Sequence, residues 1–393
     1  MVDVFIVSAV RTPIGKFLGG LSALPAPKLG AIALREAVKR AEISADDVGE
    51  CIMGCVLQAG LGQNAARQAA IYGGLPPSIG SVTVNKVCGS GLRAIIAGAQ
   101  AIKAGDLEIA AAGGMESMSN APYLLPDARR GSRLGHSKMI DAMIYDGLWD
   151  GYNDFHMGVT CELVAEKFGV TRADMDEFAL GSHRKAAAAT REGKFKREIV
   201  AVETKGEKGD ARLVEADEGP RDDASLDKLA KLKPAFKADG LVTPGNSSTI
   251  NDGAAALVLM SGDEVARRKA NPLAKITGYA AGGVEPKWVM AAPLEAVKNL
   301  QKKTGFKPGD ADLVEINEAF AGSTVALIRE MKLDPARVNV HGGAVALGHP
   351  IGCSGARIVV TLIHALQDRK LRRGLATLCM GGGNGLALSL ELA

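Results

Sequence analysis

Aromatic residues and unbalanced charge are both scarce in this chain of 393 residues. Phe, Trp and Tyr together make up 4% of it, and 47 Lys and Arg residues oppose 44 Asp and Glu residues, giving a formal net charge of +3. With few rings to stack on bases and little excess positive charge, the composition predicts no nucleic-acid partner. The composition is still compatible with a small anionic ligand if positive charge is concentrated locally.

Cysteines and long apolar runs are limited as well. Six cysteines are too few for a disulfide framework, and the pair Cys51 and Cys55 lacks a second Cys or His pair nearby that would complete a zinc site. No apolar run approaches the roughly 20 residues of a membrane-spanning helix. The first residues run directly into an apolar stretch at 4–7 without a basic leader. We therefore expect a cytoplasmic protein with no membrane partner and no metal.

Glycine is abundant, at 48 residues, and the balance of 47% hydrophobic and 23% charged residues is typical of a globular protein. Short apolar runs alternate with stretches in which apolar residues recur every three or four positions, which predicts an α/β protein. The helical spacing is clearest from Leu92 to Ala99 and from Ile358 to Leu366. The predicted strands lie at 4–7, 82–87, 109–112, 257–260, 376–380 and 386–390.

The chain also resembles itself. A Ser-Gly-x-Arg segment opens an apolar helix at Ser90 and again 264 residues later at Ser354, and each helix precedes a strand that ends in glycines. An acidic turn before an apolar strand recurs at Asp47 and, 265 residues later, at Asp312. Two nearly equal offsets favour a duplicated unit, although Gly-rich turns can match by chance. Residues 119–248 differ, being rich in turns and charge, and are predicted to be an insertion in the first half.

Cys88 is the first candidate for chemistry. It lies where a predicted strand ends and a helix begins, so free backbone N–H groups and the helix dipole should favour its thiolate. The small residues at 89–91 would let a substrate carbonyl reach those N–H groups, which could form an oxyanion hole. The alternative is a buried structural cysteine.

His349 is the second candidate. It lies between Gly348 and Pro350, in a loop before a helix predicted to start near Ser354, and from there it could take a proton from a thiol. The alternative is a loop histidine that is bound to the backbone. His341, at the other end of the same segment, is more ambiguous, because a turn there could simply face solvent.

Cys379 and Asn317 complete the set. Cys379 lies at the end of a predicted strand and is followed by glycines, as Cys88 is. If the chain is duplicated, the two cysteines would lie on opposite sides of one cleft, where Cys379 could act as a second acid or base. A redox pair is the competing interpretation, which the absence of a Cys-x-x-Cys motif weakens. Asn317 follows an apolar strand and could hold a water or orient a base, or it could merely cap the next helix together with Glu318.

A dinucleotide fingerprint at Gly60–Ala65 lacks the acidic residue expected about 20 positions later, so no such cofactor is expected.

Taken together, these segments resemble the thiolase family, in particular its acetyltransferase members, over the whole chain. The matching segments, in order, are Arg11–Gly15, Asn85–Gly91, Gly113–Met118, His156–Gly158, Asn251–Ala254, Asn317–Phe320, Gly348–Pro350 and Cys379–Gly383. The resemblance implies reversible condensation of two acetyl-CoA to acetoacetyl-CoA and CoA. A broader thiolase that cleaves longer 3-ketoacyl-CoA chains is the alternative.

The resemblance also implies a five-layered α/β/α/β/α core of two similar halves, with an inserted loop domain. The first half would comprise residues 1–118 plus 249–271, and the second residues 272–393. The insertion, residues 119–248, would bind CoA and take part in oligomerisation. A loop within it, 124–147, resembles the loop that forms tetramers in biosynthetic members, so a homotetramer is expected.

By resemblance, Cys88 accepts the acyl group, and Cys379 removes or donates the α-proton. His349 would activate Cys88 and help to stabilise the second substrate's oxyanion, with a water held by Asn317. The backbone N–H groups of Cys88 and Gly381 would form a second oxyanion hole. The family needs neither metal nor redox cofactor, and CoA thioesters are substrates.

Family contacts to CoA carry over to matching positions, namely His156, Met157, Arg221, Ala235, Phe236, Ser248, Ala319 and Phe320. Lysines between 228 and 237 fit an anionic ligand, although a solvated face explains them equally well. Two features of the sequence depart from the family pattern. Residues 290–293 read Met-Ala-Ala-Pro instead of Met-Gly-x-Gly-Pro, which puts the acyl-chain preference in doubt. Lys228 replaces a small polar residue at the expected nucleotide site.

Overall fold

The computed structural model describes residues 2–205 and 211–393 of the chain. Within these ranges the strands are β1 Val4–Arg11, β2 Gly15–Lys16, β3 Glu50–Gly54, β4 Gly80–Val84, β5 Ile109–Ser117, β6 Tyr123–Leu124, β7 Ile140–Asp141, β8 Trp149–Asp150, β9 Phe155–His156, β10 Val202–Lys205, β11 Ala211–Val214, β12 Asn251–Ser261, β13 Ala274–Gly283, β14 Leu313–Ile316, β15 Arg373–Met380 and β16 Asn384–Leu392.

The α-helices in the same ranges are α1 Ala26–Arg40, α2 Ala65–Gly73, α3 Ser90–Ala104, α4 Met157–Phe168, α5 Arg172–Arg191, α6 Leu226–Ala230, α7 Gly262–Arg268, α8 Ala292–Thr304, α9 Ala321–Glu330, α10 Ala344–Leu347 and α11 Ile351–Arg369. No helix of the described residues combines the length and the apolar character needed to cross a bilayer.

One large sheet carries the fold, with the strand order β14-β15-β16-β13-β1-β12-β5-β3-β4. Its two ends repeat one pattern. On one side β3 pairs parallel with β5, which pairs antiparallel with β12; on the other β14 pairs parallel with β15, which pairs antiparallel with β16. The antiparallel pair β1 and β13 joins the two sides. This repetition is the duplication that the sequence offsets predict.

Helices fill the space between the two half-sheets and cover their outer faces. The apolar sides of α3 and α11 share one core with strands of both halves. Helices α1 and α2 cover the outer face of the first half-sheet, and α8 and α9 cover that of the second. The fold is therefore the expected five-layered α/β/α/β/α arrangement.

Glycine allows the two central helices to approach each other closely. A Cβ atom on Gly355 of α11 would lie 2.5 Å from the backbone nitrogen of Leu92, and one on Gly91 of α3 would lie 2.8 Å from that of Ala356. Any larger side chain would force the helices apart. The Ser-Gly segments that revealed the repeat in the sequence are thus the contact between its two copies.

Two predicted boundaries were wrong. Strand β4 ends at Val84, not Val87, because the next residues leave the sheet in a tight turn before α3. Helix α11 begins at Ile351 rather than near Ser354, directly after Pro350, whose fixed φ suits a helix start. Ser354 therefore lies inside the first turn of the helix.

The chain leaves the large sheet after Ser117 and returns at Asn251. Between these points, α4 and α5 pack against the second half of the core, including α9. This segment covers the sheet edge where β5 and β15 end, and it thereby encloses a cavity there. The residue limits given above for the three domains stay predictions.

Candidate active site

A cavity of about 640 Å³ opens where the two half-sheets end. All of the predicted site residues except Asn317 line it. Those from the two halves are Cys88, His349, Cys379, Gly381, Ala319 and Phe320, and those from the insertion are His156, Met157, Arg221, Ala235, Phe236 and Ser248. One space thus contains both thiols and the imidazole.

A strained turn presents Cys88. The preceding residue, Val87, has a φ of 47°, which is unusual for a β-branched residue. Its N–H donates to Asn85 Oδ1 at 3.0 Å, and its carbonyl accepts from the Ser90 hydroxyl at 2.6 Å. These bonds stabilise the turn, which directs the thiol away from the sheet and into the cavity.

The loop that follows β15 packs directly on this turn. A Cβ atom on Gly89 would overlap the sulfur of Met380, and one on Gly381 would lie 3.2 Å from Val87 Cγ1. A Cβ at Gly89 would fit only if Met380 moved, and one at Gly381 would press on Val87, so the absence of side chains at both positions lets the two loops lie in contact. The two Gly-rich segments, far apart in the sequence, meet as the duplication predicts.

Burial raises the pKa of both thiols. For Cys88 the apolar surroundings dominate, Cys379 adds to the rise, and the N–H groups of Gly381 and of Cys88 itself counteract it only in part. Burial likewise raises the pKa of Cys379 to about 12. The expectation that the helix start alone would favour a thiolate at Cys88 was therefore wrong, because removal from water outweighs the backbone dipoles.

His349 is neutral in this site. Burial, with the Arg357 guanidinium adding to the effect, lowers its pKa to about 3. Its Nδ1 lies 2.6 Å from Ser354 Oγ, and its Nε2 lies 3.4 Å from Asn317 Nδ2. The described residues show no hydrogen bond between this imidazole and either thiol. A neutral imidazole can nevertheless accept a proton from a thiol that moves into range.

Ser354 can serve both neutral forms of His349. Its hydroxyl lies 2.6 Å from the imidazole Nδ1 and 2.9 Å from the carbonyl of Pro350. With the proton on Nδ1, the imidazole donates to Ser354, which donates to Pro350, and Nε2 is a base. With the proton on Nε2, Ser354 donates to Nδ1, and Nε2 is a hydrogen-bond donor. A carboxylate at this position could support only the first form.

Asn317 lies behind the imidazole, outside the cavity lining. Its Oδ1 is buried and has no hydrogen-bond partner among the described residues, which makes it an unsatisfied acceptor beside the imidazole. The neighbouring Glu318 does not cap the next helix, α9. It accepts bonds from the Ser182 hydroxyl, the Asn339 amide and the Val345 N–H, which ties the segment before His349 to α5 and β14.

The residues predicted to contact CoA form an aromatic wall with a basic end. His156 stacks on Phe236 at 4.6 Å between ring centroids, and Phe236 meets Phe320 edge-on at 6.1 Å. Arg221 and Lys228 line the cavity as well, and the Nζ of Lys228 lies 2.6 Å from the carboxylate of Asp223, which also lines it. The wall suits an apolar arm and the basic end suits an anion.

Three contributors were missed. Ser354 bonds to the imidazole, Asn251 accepts a 2.9 Å bond from the backbone N–H of His349, and Met290 places its sulfur 3.6 Å from Cys379. A signal for the Ser354 contact existed in its position five residues after His349, which falls in the first turn of a helix that begins directly after Pro350. Asn251 and Met290 lie in segments that the sequence analysis singled out, but their contacts were not predicted. The contacts of Asn251 and Met290 depend on packing between distant segments.

His341 lies apart from the cavity, buried with its ring edge-on to Phe195 at 5.9 Å. Among the described residues no group of three or more His, Cys, Asp or Glu side chains is placed to hold a metal ion.

Comparison with known proteins agrees with this geometry. The thiolase N-terminal domain model matches residues 4–263, and the thiolase C-terminal domain model matches residues 270–392. The acetyl-CoA acetyltransferase of Cupriavidus necator is 52% identical over 391 residues, covering 100% of both chains. That of Pseudomonas aeruginosa is 51% identical over 390 residues, covering 99% of each.

A crystal structure points to the same conclusion. The acetyl-CoA acetyltransferase of Bacillus anthracis superposes with a TM-score of 0.98 at 43% sequence identity, covering 100% of this chain and 99% of that one. The sequence motifs, the duplicated sheet and the paired thiols therefore have one explanation, and this chain belongs to the thiolase family.

Proposed function

We propose that this chain is an acetyl-CoA C-acetyltransferase, which condenses two acetyl-CoA to acetoacetyl-CoA and CoA in a reversible reaction. The observation that carries the proposal is the convergence of Cys88, Cys379 and His349 on one cavity. A nucleophile, a second acid or base and a neutral imidazole are the groups that this two-step chemistry requires. The names of the relatives in Cupriavidus and Pseudomonas support the same activity.

In the first step, the sulfur of Cys88 attacks the thioester carbonyl of acetyl-CoA. His349 accepts the thiol proton at Nε2 and keeps it. Cys379 gives its own proton to the sulfur of CoA as the carbon–sulfur bond to CoA breaks, so the step ends with a protonated imidazole and a Cys379 thiolate. The N–H groups of Cys88 and Gly381 stabilise the oxyanion in between. Because both groups start neutral, the ion pair of thiolate and imidazolium forms only as the bond forms.

In the second step, the Cys379 thiolate left by the first step removes an α-proton from a second acetyl-CoA. The resulting enolate oxygen accepts a hydrogen bond from His349 Nε2, now the protonated nitrogen, and another from a water bound to Asn317 Oδ1. The enolate carbon attacks the acetyl group on Cys88, a carbon–carbon bond forms, and the bond to Cys88 breaks. The Cys88 sulfur takes back the proton on His349 Nε2, which restores all three groups to their neutral forms. No carbon is oxidised or reduced by an outside reagent, so the proposal includes neither metal nor redox cofactor.

The binding site for CoA is proposed on the same basis. The pantetheine arm would lie along the apolar wall of Met157, Phe236 and Phe320, with Ala319 and Ser248 beside it, and the nucleotide would lie near Arg221 and Ala235. The basic end of the cavity supports this orientation, because the phosphates of CoA are anionic.

Assembly and compartment are proposals as well. Apolar side chains between Tyr123 and Tyr145 are exposed, with Leu134 fully so, which supports an interface between copies and hence a homotetramer. All six cysteines of the chain lie in the described residues and none is in a disulfide, which supports the cytoplasm.

Acylation of variants in which one cysteine is replaced tests the mechanism. After incubation with acetyl-CoA, intact-mass analysis of the unmodified chain should show one acetyl group, which peptide mapping locates at Cys88. Cys88→Ala should acquire none, whereas Cys379→Ser should still be acylated yet fail to form acetoacetyl-CoA. Cys51→Ala, which changes a thiol remote from the cavity, is the control. Acetylation at another cysteine, or full condensation by Cys379→Ser, would refute the assigned roles.

Substrate length decides between this proposal and the longer-chain alternative. We expect kcat/KM for thiolysis to fall about tenfold or more from acetoacetyl-CoA to 3-ketohexanoyl-CoA, because Met290 already packs on Cys379 and leaves little room for a longer chain. Equal or higher activity on the six-carbon substrate would establish the broader thiolase instead.

A further inference from the structure

The Gly113–Met118 motif includes a glutamate that the fold buries completely. Glu116, near the end of β5, has no exposed surface and does not line the active-site cavity. Its carboxylate accepts hydrogen bonds from the backbone N–H groups of Val56 and Leu57, each at 3.1 Å, from that of Gly352 at 2.8 Å, and from the thiol of Cys55 at 3.7 Å. Every bond that it forms with the described residues thus comes from a donor, and an ionised carboxylate fits such surroundings.

The start of α11 favours a negative charge at this place. Burial raises the pKa of Glu116, and the three backbone N–H groups counteract the rise. Gly352 is the second residue of α11, where backbone N–H groups have no partner within the helix and the helix dipole attracts an anion. The contact is close, because a Cβ atom on Gly352 would lie 2.7 Å from Oε2 of Glu116.

One chain of contacts leads from Glu116 to the turn that presents Cys88. Glu116 holds the backbone of Val56, and the carbonyl of Val56 accepts a bond from the Asn85 side-chain amide at 3.5 Å. The same side chain accepts, through Oδ1, the bond from the N–H of Val87 that stabilises the strained turn. The carboxylate therefore supports Cys88 through two intermediate residues.

A second contact leads from Glu116 to the loop that carries His349. Gly352 follows His349 by three residues, in the first turn of α11. The offset of 264 residues between the two halves makes Gly352 the counterpart of Cys88. The N–H of Cys88 belongs to the proposed oxyanion hole, whereas the equivalent N–H of Gly352 is bonded to Glu116. This bond fixes the helix start directly after the loop, and with it the backbone from which the imidazole projects.

We propose that Glu116 is a positioning residue, which holds the Cys88 turn and the His349 loop at a fixed distance across the two halves of the chain. It acts through Val56 on one side and through Gly352 on the other, and it touches neither substrate nor the reacting atoms. The proposal rests on the proposed function for what Cys88 and His349 do, although the bonds that position them involve no substrate.

Charge and position predict opposite effects of removing this carboxylate. Burial and Cys379 are the main causes that raise the pKa of Cys88, and the charge of Glu116 adds to the rise. Loss of the charge alone would lower the pKa of Cys88 and make its sulfur more reactive. Loss of alignment would make it less reactive, because a thiol that is protonated at rest needs a base within range.

Alkylation of Cys88 by iodoacetamide at pH 8, located by peptide mapping, measures this difference without any CoA substrate. Glu116→Gln keeps the shape but turns an NH2 group towards backbone N–H donors, so alkylation should slow about tenfold. In condensation, kcat should fall about 30-fold, with KM for acetyl-CoA changed less than about twofold. Glu264→Gln is the control. It removes a buried charge on α7 that binds Arg267 and Arg268, away from the cavity, and should leave both rates unchanged.

Glu116→Asp separates reach from charge and remains informative if the glutamine variant does not fold. It keeps the negative charge but is shorter by one methylene, so it cannot hold both Val56 and Gly352, and alkylation of Cys88 should again slow about tenfold. Thermal unfolding of each variant confirms that it is folded at the assay temperature.

Three results would overturn the proposal. Faster alkylation in Glu116→Gln would show that the carboxylate acts on Cys88 by its charge alone. Rates in Glu116→Asp equal to those of the unmodified chain would show that its reach has no importance. A higher KM with kcat unchanged would assign it to substrate binding. If the unmodified chain formed no acetyl group on Cys88, the proposed function would fail instead, and the alkylation rates would still decide the role of Glu116.

Discussion

At the scale of single residues, the active site is built from groups that are neutral at rest. Burial lowers the pKa of His349 and raises the pKa values of Cys88 and Cys379, so a proton transfer between thiol and imidazole creates two charges in apolar surroundings. That transfer becomes favourable only when substrate is bound, because the negative charge then passes to the substrate oxygen, which accepts hydrogen bonds from backbone N–H groups.

The first prediction concerns pH. Because the pKa of His349 is lowered to about 3, acidification from pH 8 to pH 5 leaves the folded enzyme's imidazole neutral and still able to accept a proton. The rate of Cys88 acylation should therefore show no acid limb near pH 6.5, the ordinary histidine value. Rapid-quench measurement of acylation across this range checks it. An apparent pKa between 6 and 7 that disappears in His349→Gln would contradict it.

The second prediction concerns Ser354. Ser354→Ala should lower kcat by up to about 100-fold with little change in KM, because the imidazole loses the partner that orients it and supports both of its neutral forms. Ser354→Thr retains a hydroxyl and should restore most of the rate. Steady-state kinetics in the thiolysis direction measures both. If the threonine variant were as slow as the alanine variant, packing rather than the hydroxyl would explain the loss.

At the scale of elements, glycine determines how closely α3 and α11 pack. The sequence located both Ser-Gly segments through their repetition, but it could not show that they touch, since contact depends on how the half-sheets stack. The same limit explains the wrong end of β4. Val87 follows the polar residues Asn85 and Lys86, and the sequence could not show that the chain leaves the sheet after Val84 in the turn that packs against Gly381.

The third prediction compares two helical glycines. Gly355→Ala should destabilise the fold by roughly 1–3 kcal/mol, because its Cβ would press on the backbone of Leu92. Gly181→Ala, in α5, has no atom within 4 Å of the added Cβ and should stabilise by about 0.5–1 kcal/mol through helix propensity. Denaturant unfolding measures both. A neutral Gly355→Ala would mean that the central helices can separate freely.

At the scale of the whole molecule, the fold was more predictable than the site's electrostatics. Two offsets, from Ser90 to Ser354 and from Asp47 to Asp312, predicted the duplication that the sheet order shows, and the duplication in turn predicted one shared cleft for Cys88 and Cys379. Thiol and imidazole pKa values could not be predicted in this way, because they depend on burial by residues of the insertion and of both halves together. The roles of the site residues were inferred from the resemblance to the thiolase family, whereas the contact between Ser354 and His349 was found only in the structure.

The last prediction concerns assembly. In the region from Tyr123 to Tyr145, Leu125 is exposed by 55% and Leu134 fully, an arrangement that costs free energy unless another chain covers it. If this region joins dimers into a tetramer, Leu125→Asp should halve the mass measured by light scattering, because a carboxylate would be buried without a partner. Ser132→Asp adds the same charge where no apolar surface is lost and should leave the tetramer intact. A tetramer that survives Leu125→Asp, or a wild-type chain that is only dimeric, would locate assembly elsewhere.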